Sequence, residues 1–261
     1  REAKYFLLYR DVKTKITENS LKVLESRYLR KDLNGKIIET PQQLFRRIAG
    51  NIAATEKIYD PGISDEDLFK VEEEFYRLIA SLEFLPNSPT IMNAGTSMQQ
   101  LSACFVLPVE DSMSSIFDAV RATAVIHQSG GGTGYNFGRL RPRDDVVRST
   151  NGVSSGPVSF MRIFDMVAEV VKQGGKRRGA MMAIMPISHP DVLQFITAKI
   201  KEGILQNFNI SVAITEEFMD AVKKGKNYKL INPRNGLAIK ELDAREVFDS
   251  IAKLAWEIGD P

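Results

Sequence analysis

The chain of 261 residues is 43% hydrophobic and 26% charged, enough apolar material for a folded core. Its 35 Lys and Arg against 33 Asp and Glu leave a net charge of +2, which argues against a nucleic-acid coat protein or a disordered acidic tail. No apolar run reaches the ~18 residues of a membrane-spanning helix, and one cysteine with two histidines excludes an intrachain disulfide, a cysteine-rich zinc site and a multi-histidine metal centre.

Residues 1–10 read REAKYFLLYR, too short and interrupted an apolar stretch for a signal peptide, so the cytoplasm is the expected compartment. Leu21, Leu24 and Tyr28 share a face of a helix over residues 19–30, and residues 31–36 form a polar turn. Pro41 stands in the first turn of a second helix carrying Leu44, Phe45, Ile48 and Ile52. Asp60-Pro61-Gly62 breaks the chain. Ser64 caps a third helix, with Leu68, Val71, Phe75, Leu78, Ile79 and Leu82 as its buried stripe. From Leu85 the texture becomes loop-rich, which places a domain boundary there: a helical domain over 1–85, then an α/β domain over 86–261.

Cys104-Phe105-Val106-Leu107 reads as a buried strand, and residues 112–127 as a helix with Ile116, Phe117, Val120 and Ala124 on one face. Ser129 to Gly134 reads as a glycine hinge. Pro157 opens a helix faced by Phe160, Ile163, Phe164, Val167 and Val171. A strand over 181–187, a helix over 190–201 and a strand over 210–214 follow. Thr215 caps a helix whose capping box is incomplete, because Phe218 stands where Glu or Gln belongs. A strand over 228–231 and a helix over 243–258 close the chain. This alternation predicts mostly parallel strands. Gly259-Asp260-Pro261 reads as a turn leading onward, as in a piece of a longer polypeptide.

No dinucleotide fingerprint or P-loop fits either glycine cluster; each is a helix C-cap or a place of close approach to a ligand. Lys172, Lys176, Arg177 and Arg178 surround Gly174 and Gly175. They complement a helix dipole or attract an anion such as a nucleotide triphosphate. Arg139, Arg141, Arg143 and Arg148 form a second cluster, partly offset by Asp144 and Asp145 as a surface ion-pair network. Cys104, His127 and His189 read, on their own, as structural residues.

Taken together, six stretches resemble the large, catalytic subunit of ribonucleotide reductase. They are Asn87-Ser88-Pro89-Thr90-Ile91-Met92-Asn93-Ala94-Gly95, Leu101-Ser102-Ala103-Cys104-Phe105, Glu110-Asp111-Ser112, Ser129-Gly130-Gly131-Gly132-Thr133-Gly134, Ser155-Gly156-Pro157-Val158-Ser159-Phe160-Met161, and Lys172-Gln173-Gly174-Gly175-Lys176-Arg177-Arg178-Gly179-Ala180. The wording is most like the adenosylcobalamin-dependent, class II branch. The resemblance implies a helical N-terminal domain followed by the first half of a ten-stranded α/β barrel. It implies an enzyme that reduces ribonucleotides to deoxyribonucleotides by radical chemistry, with adenosylcobalamin as cofactor and ATP or dNTP effectors. By resemblance Cys104 is one of two redox cysteines, and Ser88, Ala103, Cys104 and Gly132 line the substrate. Asp111, Ser112, Met113, Arg141 and Arg148 match the allosteric specificity site, which Gln128 reaches from the partner chain of a homodimer. Gln173, Gly174, Gly175, Lys176, Arg177 and Arg178 match the loop between effector and substrate base.

The chain departs from that family in one respect. The chemistry needs at least three cysteines and an Asn-x-Cys-x-Glu loop, and the chain has one cysteine and no such loop. The resemblance therefore implies a partner segment that supplies them, and no turnover by this chain alone. The competing reading is a non-catalytic nucleotide-binding regulator derived from the same family.

Overall fold

A computed structural model describes residues 16–147, 151–171, 179–201 and 203–261. Contacts divide the chain into two compact units, Arg1–Ala103 and Cys104–Pro261. The sequence placed the division after residue 85. Residues 86–103 instead pack with the helices, because Ile91 and Ala94 join the helical core and Thr90 Oγ1 donates to the Leu101 carbonyl at 2.9 Å.

In the first unit, α1 (Glu18–Val23) runs into one π-helical turn, Leu24–Tyr28. α2 (Pro41–Ala53) starts at a complete capping box, in which Thr40 accepts from the Gln43 N–H and Gln43 reaches back to Thr40. A short α3 (Glu56–Tyr59) precedes α4 (Asp65–Ala80), whose N-terminal N–H of Asp67 is capped by Ser64 at 3.1 Å. Leu44, Phe45 and Ile48 of α2 pack with Tyr76 and Ile79 of α4. The predicted α4 stripe is shorter than expected: the helix stops at Ala80, and Leu82 lies beyond it, exposed and at positive φ. α5 (Ser88–Asn93) begins on an Asn87 cap. Buried Glu39 is paired by Arg47 Nε at 2.7 Å.

The second unit is built on a four-stranded parallel sheet of order β1-β2-β5-β6. Its strands are β1 (Cys104–Leu107), β2 (Gly132–Asn136), β5 (Met181–Pro186) and β6 (Phe208–Ala213). α6 (Met113–Gln128) joins β1 to β2, and α7 (Pro157–Val170) precedes β5. One sheet face is covered by α6 and α7, and there Tyr135, Phe137, Phe164 and Phe208 form an aromatic cluster with ring centroids 4.7–6.3 Å apart. Each fully buried Phe contributes roughly 1.5–3 kcal/mol by leaving water. A two-stranded pair, β3 (Val146–Val147) with β4 (Gly152–Val153), lies between β2 and α7 in the chain. After β5 comes α8 (Val192–Ile196), and after β6 come α9 (Glu216–Lys224), an antiparallel hairpin of β7 (Asn227–Ile231) and β8 (Ala238–Asp243), and α10 (Ala244–Ile258). These surround a separate core containing Ile187, Phe218, Leu230 and Leu254.

Four expectations change. Gly132, Thr133 and Gly134 form a strand, not a hinge: pairing with β1 and β5 on both sides overrides glycine's local preference. The buried face of α6 is Ile116, Ala119, Thr123 and His127, and Phe117 is exposed. The predicted helix over 190–201 is regular only over Val192–Ile196. β1 is a strand but not a buried one. It is an edge strand, and Cys104 and Val106 alternate onto the face that no described helix covers.

Candidate functional site

Strand register fixes what stands beside the cysteine. Cys104 pairs with Gly132, and Val106 with Gly134, then Met182 and Asn209 across the sheet. Side chains of register partners point to the same face. The face opposite the helices therefore carries Cys104, Val106, Asn136, Met182, Ile184, Asn209 and Ser211, with two glycines between. Gly132 adds no side chain beside the thiol. Cys104 is exposed on the edge strand, so a thiol is presented to whatever occupies this face. Ala103 immediately precedes it in the chain. Ser88 belongs to the first unit, where its hydroxyl lies 3.0 Å from the Tyr28 hydroxyl. That unit also holds an apolar cleft of about 290 Å³ lined by Ile48, Phe75, Leu78 and Phe84, and no predicted site residue lines it.

A second group gathers beyond the other end of β1. Asp111 accepts from the Arg141 backbone N–H at 3.2 Å and from its Nε at 2.8 Å, across 30 residues of sequence. Arg141 also donates to the Val146 carbonyl at 3.0 Å. Both charged side chains stay about a quarter exposed, accessible to a ligand. Ser112 is the N-cap of α6, accepting from the Ser115 N–H at 3.2 Å, and Met113 is the exposed first residue of that helix. Three further strand residues and a turn separate Cys104 from Asp111, so β1 alone puts about 10 Å between the two groups.

Gln128 is the last residue of α6, fifteen positions from Met113, or about 22 Å along a continuous helix. One chain does not bring Gln128 to Asp111. Arg148 and the loop residues Gln173, Gly174, Gly175, Lys176, Arg177 and Arg178 lie outside the described residues.

The predicted arginine network exists, with Asp144 in its expected role and other partners elsewhere. Arg139 pairs with Glu110, and Arg143 lies 3.8 Å from Asp144. Asp145 instead receives Arg234 Nε at 2.8 Å, Arg234 Nη2 at 2.9 Å and Asn232 Nδ2 at 3.0 Å. Arg234 holds the Asp145 carboxyl well below the usual carboxylate range, against the upward pull of burial. Sequence reasoning read Asp145 only as a counter-charge to the nearby arginines and missed Asn232 and Arg234. Asn232-Pro233-Arg234-Asn235-Gly236 is legible as a turn, but nothing local names a partner 89 residues away.

Both histidines are structural. His189 Nε2 donates to the Leu140 carbonyl at 2.9 Å, and its Nδ1 accepts from the Asp191 N–H. His127 is fully buried against Thr133 at 3.0 Å. Among the described residues no group of three or more His, Cys, Asp or Glu is placed to hold a metal ion, and no helix is long and apolar enough to cross a membrane.

Comparison with known proteins matches residues 14–99 to the family described as ribonucleotide reductase, all-alpha domain, and residues 102–261 to ribonucleotide reductase, barrel domain. A vitamin B12-dependent ribonucleoside-diphosphate reductase of Thermoplasma acidophilum is 44% identical, over 95% of this chain and 39% of that protein. One of Mycobacterium tuberculosis is 46% identical, over 100% of this chain and 37% of that protein. A ribonucleoside-diphosphate reductase large subunit of Dictyostelium discoideum is 33% identical, over 86% of this chain and 25% of that protein. The chain thus spans less than two-fifths of the length of these relatives.

Proposed function

The chain belongs to the ribonucleotide reductase large-subunit family, and we propose that it is the N-terminal portion of an adenosylcobalamin-dependent enzyme reducing ribonucleotides to deoxyribonucleotides. The observation that carries this reading is the Cys104 thiol, exposed on the uncovered sheet face beside Gly132. The whole enzyme works in the cytoplasm, and another segment supplies the Asn-x-Cys-x-Glu loop and the second redox thiol. In the reductive step two thiols give up two electrons and two protons. The ribose C2′–O bond breaks, its oxygen leaves as water, a C2′–H bond forms, and the sulfurs join as a disulfide. Cys104 is one of those thiols, and Ser88, Ala103 and Gly132 contribute to the substrate site.

Bound adenosylcobalamin supplies the radical chemistry that starts such a turnover. Among the described residues both histidines are buried and bonded within the fold, so neither would serve as a ligand to it. On this reading, this chain's residues carry the reductive and regulatory steps.

The Asp111–Arg141 pair, with Ser112, Met113 and Arg148, forms the effector site. Asp111 accepts a sugar hydroxyl, and the arginines take the phosphates. The loop 173–178 carries the signal toward the substrate. In the complete enzyme Asp111→Ala is expected to weaken dNTP binding. Arg178→Ala is expected to leave it intact while scrambling which nucleotide each effector favours. Coupling of ~1–3 kcal/mol makes those preferences several-fold to a hundredfold. A four-substrate competition assay reads both variants, and an unchanged effector–substrate pairing in Arg178→Ala refutes the loop's role.

Two chains complete the effector site. Met113, Phe117 and Val125 of α6 and Met166 and Val170 of α7 are exposed apolar side chains, which a two-fold packing of these helices buries. Antiparallel pairing of α6 with its mate also brings Gln128 of the partner subunit to Met113, closing the 22 Å gap of ~15 helical steps. Sedimentation with and without dNTP is expected to show a dimer of the complete enzyme; a species that stays monomeric in both contradicts it.

A further inference from the structure

The position of Arg141 is set through a chain of contacts that ends far along the sequence. Its guanidinium donates to Asp111 and to the Val146 carbonyl, so the place of that carbonyl fixes where the charge points. The Val146 N–H donates to Asp145 Oδ1 at 2.9 Å. The Asp145 carboxylate is in turn gripped by both prongs of Arg234 and by Asn232. The grip is rigid at its base. Asn232 is buried, its backbone oxygen accepts from the Gly236 N–H at 2.8 Å, and its Oδ1 accepts from the Arg234 N–H at 2.9 Å. A planar fork on a fixed turn orients a carboxylate in a way a flexible ammonium does not.

We infer that Arg234 is a positioning residue of the effector site, acting through Asp145 to hold the segment 141–147 so that Arg141 meets the effector's phosphates. The inference rests on the effector reading of Asp111 and Arg141 given above, and it extends the regulatory site to the turn over 232–237. The clamp is already ionised across the working pH range, because Arg234 keeps the Asp145 carboxyl charged. Arg234 also lies close enough to feel the Asp111 carboxylate, after the larger effect of Asp145. Asp145 and Asp111 are each answered by an arginine, so the clamp orients the N–H groups that face the effector.

The test is a double-mutant cycle in the complete enzyme, with dTTP affinity as the readout. Arg234→Met and Asp145→Asn are each expected to weaken dTTP binding about tenfold, the order of loss when a binding group is left unpositioned. The double variant is expected to be no weaker than either single one, since both remove the same clamp. Ribonucleotide affinity measured without effector is expected to hold, which separates lost positioning from general loosening. Additive losses would mean that Arg234 touches the effector directly, and they overturn the positioning role. So do unchanged dTTP affinity and an equal loss of ribonucleotide affinity. Wild-type enzyme that binds no dNTP overturns the effector reading itself, and this inference with it.

Discussion

In the complete enzyme, Cys104→Ser is expected to end multiple turnover with a dithiol reductant, by at least about 10³-fold, or ~4 kcal/mol of lost transition-state stabilisation. The loss is chemical, not structural. A serine hydroxyl matches the thiol in shape and hydrogen bonding but neither gives up electrons at this potential nor closes a disulfide. The side chain is exposed, so the exchange leaves no cavity and buries no polar atom. Effector binding is expected to survive, because Asp111 lies beyond the opposite end of β1 from Cys104. Product formed per enzyme, followed over many equivalents of substrate, reads the first expectation; dTTP binding reads the second. A serine variant that turns over like wild type removes Cys104 from the reaction.

Features set by neighbours in sequence were legible. The Ser64 and Thr215 caps need only the next three residues, and both form as the pattern implies. The alternation of helix and strand after residue 85 likewise predicts the parallel sheet that forms from Cys104 on. Features set by distant partners were not legible. Apolar Cys104-Phe105-Val106-Leu107 has the pattern of a buried strand, but burial depends on what covers each face, and only the Phe105–Leu107 side meets helices. Gly132 and Gly134 have the local signature of a hinge, yet ladder bonds from two neighbouring strands outweigh it. The strand Ala238–Asp243 is exposed along most of its length and shows no alternation to find. At the candidate site, Asp111 and Arg141 were found through the resemblance, not through spacing. Asp145 was read as a neighbour's counter-charge, and its real partner is Arg234.

A buried polar chain makes the second large effect. Thr123 Oγ1 donates its single proton to the Ala119 carbonyl at 2.7 Å, so it must accept from the Tyr135 hydroxyl at 2.6 Å. Tyr135 then accepts from Thr133 at 2.6 Å, and Thr133 accepts from His127 at 3.0 Å. The order places a proton on His127 Nε2, and burial favours the neutral ring. Burial pushes the Tyr135 phenol up to about 12, against the weaker downward pull of Thr123 and Thr133, so it stays a donor. Nδ1 is left bare, with no partner among the described residues, against Gly179, where a Cβ would stand 2.8 Å from it. Thr133→Val removes the link. It strands the Nε2–H and the Tyr135 oxygen in the core and is expected to cost about 2–4 kcal/mol, since each buried group left unmatched costs ~1–3 kcal/mol. Protonating His127 does similar damage, because a second N–H at Nδ1 finds no acceptor. Burial accordingly lowers its pKa from 6.5, and burial lowers that of His189 as well. A histidine whose folded pKa is depressed stabilises the fold above its unfolded pKa. That stability is lost as pH falls from 6.5 toward the folded value, where the unfolded chain takes up the proton first. The melting temperature of the enzyme is therefore expected to decline on acidification below about pH 6.5, the ordinary histidine range. His127→Gln can still donate to Thr133 and cannot titrate, so it is expected to flatten that decline while His189 keeps its share. An acid slope unchanged by His127→Gln would show that the imidazole is not held neutral by this chain of hydroxyls.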